Sequence, residues 1–178
     1  TNQKLAKYYY LTPDEVLNSK QTPLTAIGDS VLLDDSGDLQ EVFPGAIVNG
    51  KVGRQAADMH DVIVSMAQQG QLAKNVMINI GTNGYVTPEQ ADDIVHAIGP
   101  GHEIFWVTAH VPTREWQNSV NNRIAKTADK YHNVHVIDWY TTAKNQPKWF
   151  VSDHVHPNNY GNRHYTSLIA KAIAKVNQ

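Results

Sequence analysis

Five short apolar runs recur along this chain, and helical patterns separate them. The runs are Leu24–Ile27, Ala46–Val48, Val76–Ile80, Ile104–Val107 and Val134–Ile137. Turn residues follow them, most clearly Gly28-Asp29-Ser30, Asn49-Gly50, Gly81-Thr82-Asn83-Gly84 and Asp138. Short, largely β-branched runs of this kind are expected of strands buried on both faces. Between them, Arg54–Gln68, Pro88–Ile98, Trp116–Tyr131 and the stretch from about 158 to 176 place apolar residues three and four apart. Thr87 is the expected N-cap of the second helix. Alternation of strand and helix predicts an α/β domain: a doubly wound, mostly parallel five-stranded sheet flanked by helices, in three layers. In such sheets the active crevice lies beyond the carboxyl ends of the strands.

Composition narrows the class. With 178 residues the chain suits one domain with a substantial core. A formal charge of −2 offers no basic footprint for nucleic acid. The absence of cysteine removes disulfides, thiolate-bound zinc and a thiol nucleophile. No apolar run approaches the ~18 residues of a membrane span. The chain opens at Thr1, so a processed or excised piece is expected, with any targeting or membrane segment upstream. Residues 1–22 are polar and read as a linker with one short helix. Thr12-Pro13-Asp14-Glu15 marks the helix start, and its end is expected near Ser19. The catalytic domain is expected over 23–178, as a monomer.

Ser30, at a strand end and opening a helix, is well placed as a nucleophile whose own N–H helps hold an oxyanion. Read alone, Gly28-Asp29-Ser30 is more readily an ordinary turn with a helix cap. A serine needs a base. Asp153-His154-Val155-His156-Pro157 offers His156 as base and Asp153 as its orienter, if the loop bends so that Asp153 takes the imidazole Nδ1–H. The pairs Asp93/His96 and Asp129/His132 share the spacing but fall in helical stretches, where such neighbours are usually solvated. Gly53 after the second strand and Asn83 after the third are candidate oxyanion donors.

These four blocks, Gly28-Asp29-Ser30, Gly53, Gly81-Thr82-Asn83 and Asp153-x-x-His156, occur in the order of the SGNH (GDSL-type) hydrolase superfamily, which the chain resembles over about residues 24–176. The resemblance implies a flavodoxin-like sandwich. It also implies Ser30 as nucleophile, His156 as base, Asp153 as orienter, and Ser30, Gly53 and Asn83 as the oxyanion hole. Ala26-Ile27-Gly28-Asp29-Ser30-Val31, Asn49-Gly50-Lys51-Val52-Gly53-Arg54-Gln55 and Val111-Pro112-Thr113-Arg114-Glu115-Trp116 look more narrowly like the extracellular domain of bacterial peptidoglycan O-acetyltransferases. In that family a membrane acyltransferase-3 domain precedes an SGNH domain. The likeness implies acetyl transfer through an acetyl-serine to the C6 hydroxyl of a cell-wall amino sugar, usually N-acetylmuramic acid. The donor would come from the membrane domain, the acceptor would be the peptidoglycan glycan, and the domain would sit at the outer face of a bacterial membrane.

Other signals are weaker. Gly45–Val52 falls short of a phosphate-binding loop because Val52 replaces the final Ser or Thr. Asp153, His154, His156, His132 and His135 invite a metal, but no helical metal motif is present. The expected chemistry requires no metal or organic cofactor. Trp116 and Trp149 are candidate walls of a sugar groove, and Arg54 and Gln55 candidate acceptor contacts, with a helix-start salt bridge the alternative for Arg54. The same residues would serve an acetylesterase whose second nucleophile is water. A non-catalytic glycan-binding module is a third reading, opposed by the intact Ser/His/Asp set.

Overall fold

In a computed structural model covering residues 1–177, the chain forms a five-stranded sheet in the order β2-β1-β3-β4-β5, with every pairing parallel. The strands are β1 (Leu24–Gly28), β2 (Ile47–Gly50), β3 (Asn75–Asn79), β4 (Glu103–Val107) and β5 (Val134–Ile137). The sheet is thus wholly parallel, beyond the mostly parallel expectation. Helix α3 (Ser30–Val42) leads from β1 outward to β2. The chain then crosses back past β1 through α4 (Met59–Gln68) and continues through α5 (Pro88–Ile98) and α6 (Gln117–Lys130). The short α7 (Trp139–Ala143) follows β5, and α8 (Asn159–Val176) packs beside α3. The strand order reverses between β1 and β3, so the crevice of a doubly wound sheet opens there.

Burial separates central from edge strands. Every residue of β1 and β3 is buried, and so is all of β4 except Glu103. The expected two-faced burial fails at the edges: β2 is exposed or half-buried throughout, and β5 keeps only its end residues buried. An edge strand has a neighbour on one side only, so less of it is covered.

The amino-terminal segment departs most from expectation. Residues 1–22 are not a linker; they form a two-helix hairpin, α1 (Asn2–Tyr8) and α2 (Pro13–Gln21), and α2 packs on α8. Thr12 and Glu15 make the reciprocal capping box that the Thr-Pro-Asp-Glu run implies. Tyr9 and Val16 are fully buried, and the Tyr9 hydroxyl donates to Asp38 Oδ1 at 2.7 Å. A polar stretch with few apolar residues escapes a periodicity reading, because Ala6, Tyr9, Leu11 and Val16 are spread over two helices and a turn. Helices α3 and α7 also carry no apolar stripe singled out in the sequence. Among the described residues no helix is long and apolar enough to cross a membrane.

Two acidic side chains of the β1–α3 region are buried. Asp35 is fully buried; its Oδ2 accepts from the Thr166 hydroxyl at 2.7 Å and its Oδ1 has no protein partner. Burial, then Asp38 and Asp34 nearby, push its carboxyl well above the usual range despite the Thr166 bond. Asp29 is pushed up to about 6, chiefly by burial. Because both folded values are raised, the native state holds protons that the unfolded chain releases above about pH 4. This stabilisation is complete below that value and is lost as pH rises through the folded values. Asp35→Asn keeps an acceptor for Thr166 and cannot ionise. Thermal melts between pH 4 and 8 should therefore show the variant gaining on the parent as pH rises, by roughly 2–4 °C for each kcal/mol relieved. A constant difference across that range would mean that Asp35 does not carry the proton.

Candidate active site

Gly28 ends β1 against β3. A Cβ at this position would lie 2.6 Å from the Asn79 carbonyl oxygen and 2.8 Å from Asn79 Cβ. Only glycine permits the approach, which brings the Asn79 side chain under the start of α3. Asp29 Oδ1 accepts from Val31 N at 2.9 Å, and Asn79 Oδ1 from Leu32 N at 3.1 Å. Leu33 N reaches the Asp29 carbonyl at 3.1 Å. The first turn of a helix leaves its N–H groups without helical partners. Here side chains occupy those of Val31 and Leu32, and among the described residues no protein acceptor takes the Ser30 N–H.

Ser30 Oγ lies 2.7 Å from His156 Nε2. His156 Nδ1 lies 2.6 Å from Asp153 Oδ2, while Asp153 Oδ1 accepts from the backbone N–H groups of Val155 and His156 at 2.8 and 2.9 Å. An ionised Asp153 assigns the proton to Nδ1, so that Nε2 faces the serine as an acceptor. Burial works against charge on Asp153, but the two N–H groups and the imidazole outweigh it and hold the carboxyl below its ordinary range. The loop is pinched to make this possible. Val151 N donates to the His156 carbonyl at 2.9 Å, Phe150 bridges to Pro157, and Asn158 N donates to the Trp149 carbonyl at 2.8 Å. His154 turns the loop with φ 63° and projects outward, exposed. Gly161 in α8 is obligatory, since a Cβ there would collide with the Trp149 carbonyl.

The two remaining blocks lie on the turns that follow β2 and β3. Residues 51–54 form a turn in which Arg54 N donates to the Lys51 carbonyl at 3.2 Å and Gly53 takes φ +78°. Nothing lies within 4 Å of a Cβ built on Gly53, whereas one on Gly50 would press on Leu33 N at 2.9 Å. Gly50 thus serves packing, and Gly53 presents open backbone. Asn83 Nδ2 donates one hydrogen to the Arg54 carbonyl at 3.3 Å, leaving the other free. Gln55 Nε2 returns the tie by donating to the Asn83 carbonyl at 2.8 Å.

The four tentative contact residues divide. Arg54 is a correction: it is buried, with Nη1 donating to the Gly28 and Asn49 carbonyls at 3.0 and 2.8 Å and Nη2 to Asn49 Oδ1 at 3.0 Å. Its guanidinium braces the turn beside Ser30, and among the described residues it makes no helix-start salt bridge. Gln55 is exposed but committed to Asn83. Trp116 is half-buried; its Nε1 donates to the Thr82 carbonyl at 3.1 Å, which places its ring beside the Asn83 loop. Trp149 is the second correction: its ring stacks on His164 at 4.0 Å and lies 5.8 Å from Trp139, so it packs the loop onto α8.

Three residues near the site went unremarked in the sequence. Asn79 carries a visible signal, an amide ending an apolar strand. Asp34, one helical turn past Ser30, brings Oδ2 to 4.0 Å from His156 Nε2. His110, beyond β4, stacks on Phe150 at 4.3 Å. Of the same-spacing pairs, Asp93 instead meets His60 at 3.0 Å, and His96 lies 3.2 Å from the Tyr131 hydroxyl. His135 meets Glu103 at 2.6 Å. Among the described residues no group of three His, Asp or Glu side chains is disposed to hold a metal ion.

Comparison with known proteins identifies the fold and the relatives of the chain. No family profile matches the chain. A putative peptidoglycan O-acetyltransferase, YrhL, of Bacillus subtilis is 36% identical over 148 residues, 83% of this chain and 23% of that protein. The O-acetyltransferase OatA of Staphylococcus aureus is 34% identical over 158 residues, covering 86% of this chain and 25% of its own length. The chain therefore spans about a quarter of these relatives. The C-terminal catalytic domain of Streptococcus pneumoniae peptidoglycan O-acetyltransferase A, solved with a methylsulfonyl adduct, superposes with TM-score 0.77 at 27% identity, over 88% of this chain and 94% of that one. A carbohydrate esterase family 3 protein of Talaromyces cellulolyticus shares the fold, with TM-score 0.70 at 15% identity, over 88% of this chain and 98% of that one. The chain has the SGNH hydrolase fold and is homologous to the corresponding quarter of the peptidoglycan O-acetyltransferases.

Proposed function

We propose that this chain is the catalytic domain of a peptidoglycan O-acetyltransferase working through a Ser30–His156–Asp153 triad. The observation that carries the reading is the continuous chain from Ser30 Oγ to His156 to Asp153, at 2.7 and 2.6 Å, beside a Ser30 N–H with no protein acceptor. Homology to named O-acetyltransferases supports the acyl group and the acceptor class.

Ser30 Oγ attacks the acetyl carbonyl of the donor and gives its proton to His156 Nε2. The oxyanion is held by the N–H groups of Ser30 and Gly53 and the free amide hydrogen of Asn83. As the carbon–oxygen bond to the leaving group breaks, that group takes the proton from Nε2 and acetyl-Ser30 remains. The acceptor hydroxyl, on our reading the C6 hydroxyl of N-acetylmuramic acid, then passes its proton to Nε2 and attacks the acetyl carbon. The bond to Ser30 Oγ breaks and the serine recovers the proton. Asp153 stays ionised and steadies the imidazolium in both half-reactions. These steps need no metal or organic cofactor. The donor is supplied by a membrane acyltransferase domain, which places this domain at the outer face of a bacterial membrane. Water in place of the sugar hydroxyl gives the acetylesterase reading.

Mass spectrometry of a cell-wall amino-sugar oligomer incubated with the domain and an activated acetyl ester tests the reading, with Ser30→Ala beside it. The expected result is acetylated sugar that depends on Ser30. Free acetate with no sugar product would assign the chain to the esterases. In the same assay Asn83→Ala should lower turnover by roughly 10²–10³-fold; a rate near the parent's removes Asn83 from the oxyanion hole. Asp153→Asn should cost about 10⁴-fold, because the imidazole tautomer is no longer held. A loss below tenfold would leave Asp153 a purely structural loop residue.

A further inference from the structure

Tyr8, Tyr10 and Tyr160 stand 46%, 39% and 49% exposed around one side chain, Arg163. The Arg163 guanidinium carbon lies 4.2, 5.0 and 5.4 Å from the ring centroids of Tyr8, Tyr10 and Tyr160. Its Nε donates to the Tyr8 carbonyl at 3.0 Å, which fixes the fork and leaves the terminal nitrogens available. Tyr10 stacks on His164 at 4.4 Å and 8°, and His164 stacks on Trp149 at 4.0 Å and 10°. Burial and the Arg163 charge hold the His164 imidazole below its usual range, so it stacks as a neutral ring.

Two features set this cluster apart from ordinary packing. Tyr10 has φ 56° at the end of α1, where Leu11 N closes back to the Ala6 carbonyl at 2.9 Å. Glycine is the usual residue at such a helix stop, and a tyrosine there is disfavoured by its Cβ, yet its ring remains well exposed. The cluster is also continuous with the proposed catalytic loop. Tyr160 follows His156 by four residues, at most about 14 Å of chain, and the Trp149 carbonyl at the base of the stack anchors Asn158.

We propose that Tyr8, Tyr10, Tyr160 and Arg163 form a platform that binds the acceptor glycan beyond the sugar unit being acylated. The inference rests on the glycan-acceptor reading above. Tyrosine rings offer apolar faces with a polar hydroxyl at the edge, a match to saccharide rings whose C–H faces alternate with hydroxyls. The terminal nitrogens of Arg163 suit the carboxylates that a muramic acid polymer carries. Aliphatic side chains, which a lipid would call for, do not build the cluster.

Binding and transfer are measured separately with the β-1,4-linked N-acetylglucosamine–N-acetylmuramic acid disaccharide and hexasaccharide. In a Ser30→Ala background, the hexasaccharide should bind about tenfold tighter than the disaccharide, equivalent to about 1.4 kcal/mol. Tyr10→Gly removes a ring while easing the backbone, and Tyr160→Ala removes another from an exposed position. Each should erase most of the length preference while leaving the disaccharide affinity, and the hydrolysis of p-nitrophenyl acetate with Ser30 intact, unchanged. Equal binding of the two sugars, no binding of the hexasaccharide, or a preference that survives both substitutions would overturn the platform. A Tyr-dependent length preference without acetyl transfer to either sugar would instead retain the platform and sink the transferase reading.

Discussion

The contact of Gly28 with Asn79 is the constraint on which the rest of the site is built. Two parallel strands approach closely enough that no side chain fits on one of them. The Asn79 amide is thereby carried beneath α3, where it takes the Leu32 N–H, while Asp29 takes that of Val31. Capping of this kind is usually discussed as helix stability. Here it also decides which N–H stays open, and the open one belongs to the residue whose hydroxyl meets His156. Arg54 reinforces the arrangement from the β2 side by donating to the Gly28 carbonyl. The turn that carries Ser30 is therefore held from both neighbouring strands.

Two carboxylates near one imidazole are pushed in opposite directions. Asp153 accepts two backbone N–H groups and the imidazole, and these overcome its partial burial. Asp29 is nearly dry, one of its oxygens has no protein partner, and burial wins. Depth of burial, rather than distance to His156, separates the ionised carboxylate of Asp153 from the helix cap Asp29, which is pushed up to about 6. The pinched loop from Phe150 to Asn158 exists to deliver those N–H groups, and its rear is fastened by the stack of Trp149 on His164.

Much of this was legible in the residue order. Strand–helix alternation pointed to a doubly wound sheet, and the position of Asp153 and His156 after the last strand separated them from two pairs of identical spacing. The misreadings share one cause. Arg54 beside an oxyanion glycine, Trp149 before a catalytic loop and a polar stretch ahead of the first strand all look outward when judged by neighbours in sequence. In the fold, Arg54 turns inward to backbone carbonyls, Trp149 meets a histidine fifteen positions on, and Tyr9 reaches Asp38 in α3. Each partner lies on another element, where local pattern carries no information.

The residue order alone settled the fold class, the order of the blocks and the chemical types available at each strand end. Those follow from short-range rules: side-chain periodicity, capping and turn preference act within a few residues. Tertiary structure decided which groups meet. The strand order, reversing between β1 and β3, lets Arg54 reach the Gly28 carbonyl and Asn83 the Arg54 carbonyl, and the return of α8 beside α3 brings His156 to Ser30 from 126 residues away. It also gathered tyrosines from the amino terminus and from α8 around one arginine. Such meetings depend on long-range packing of a buried sheet, whose free energy is shared across the whole core and is written in no single segment.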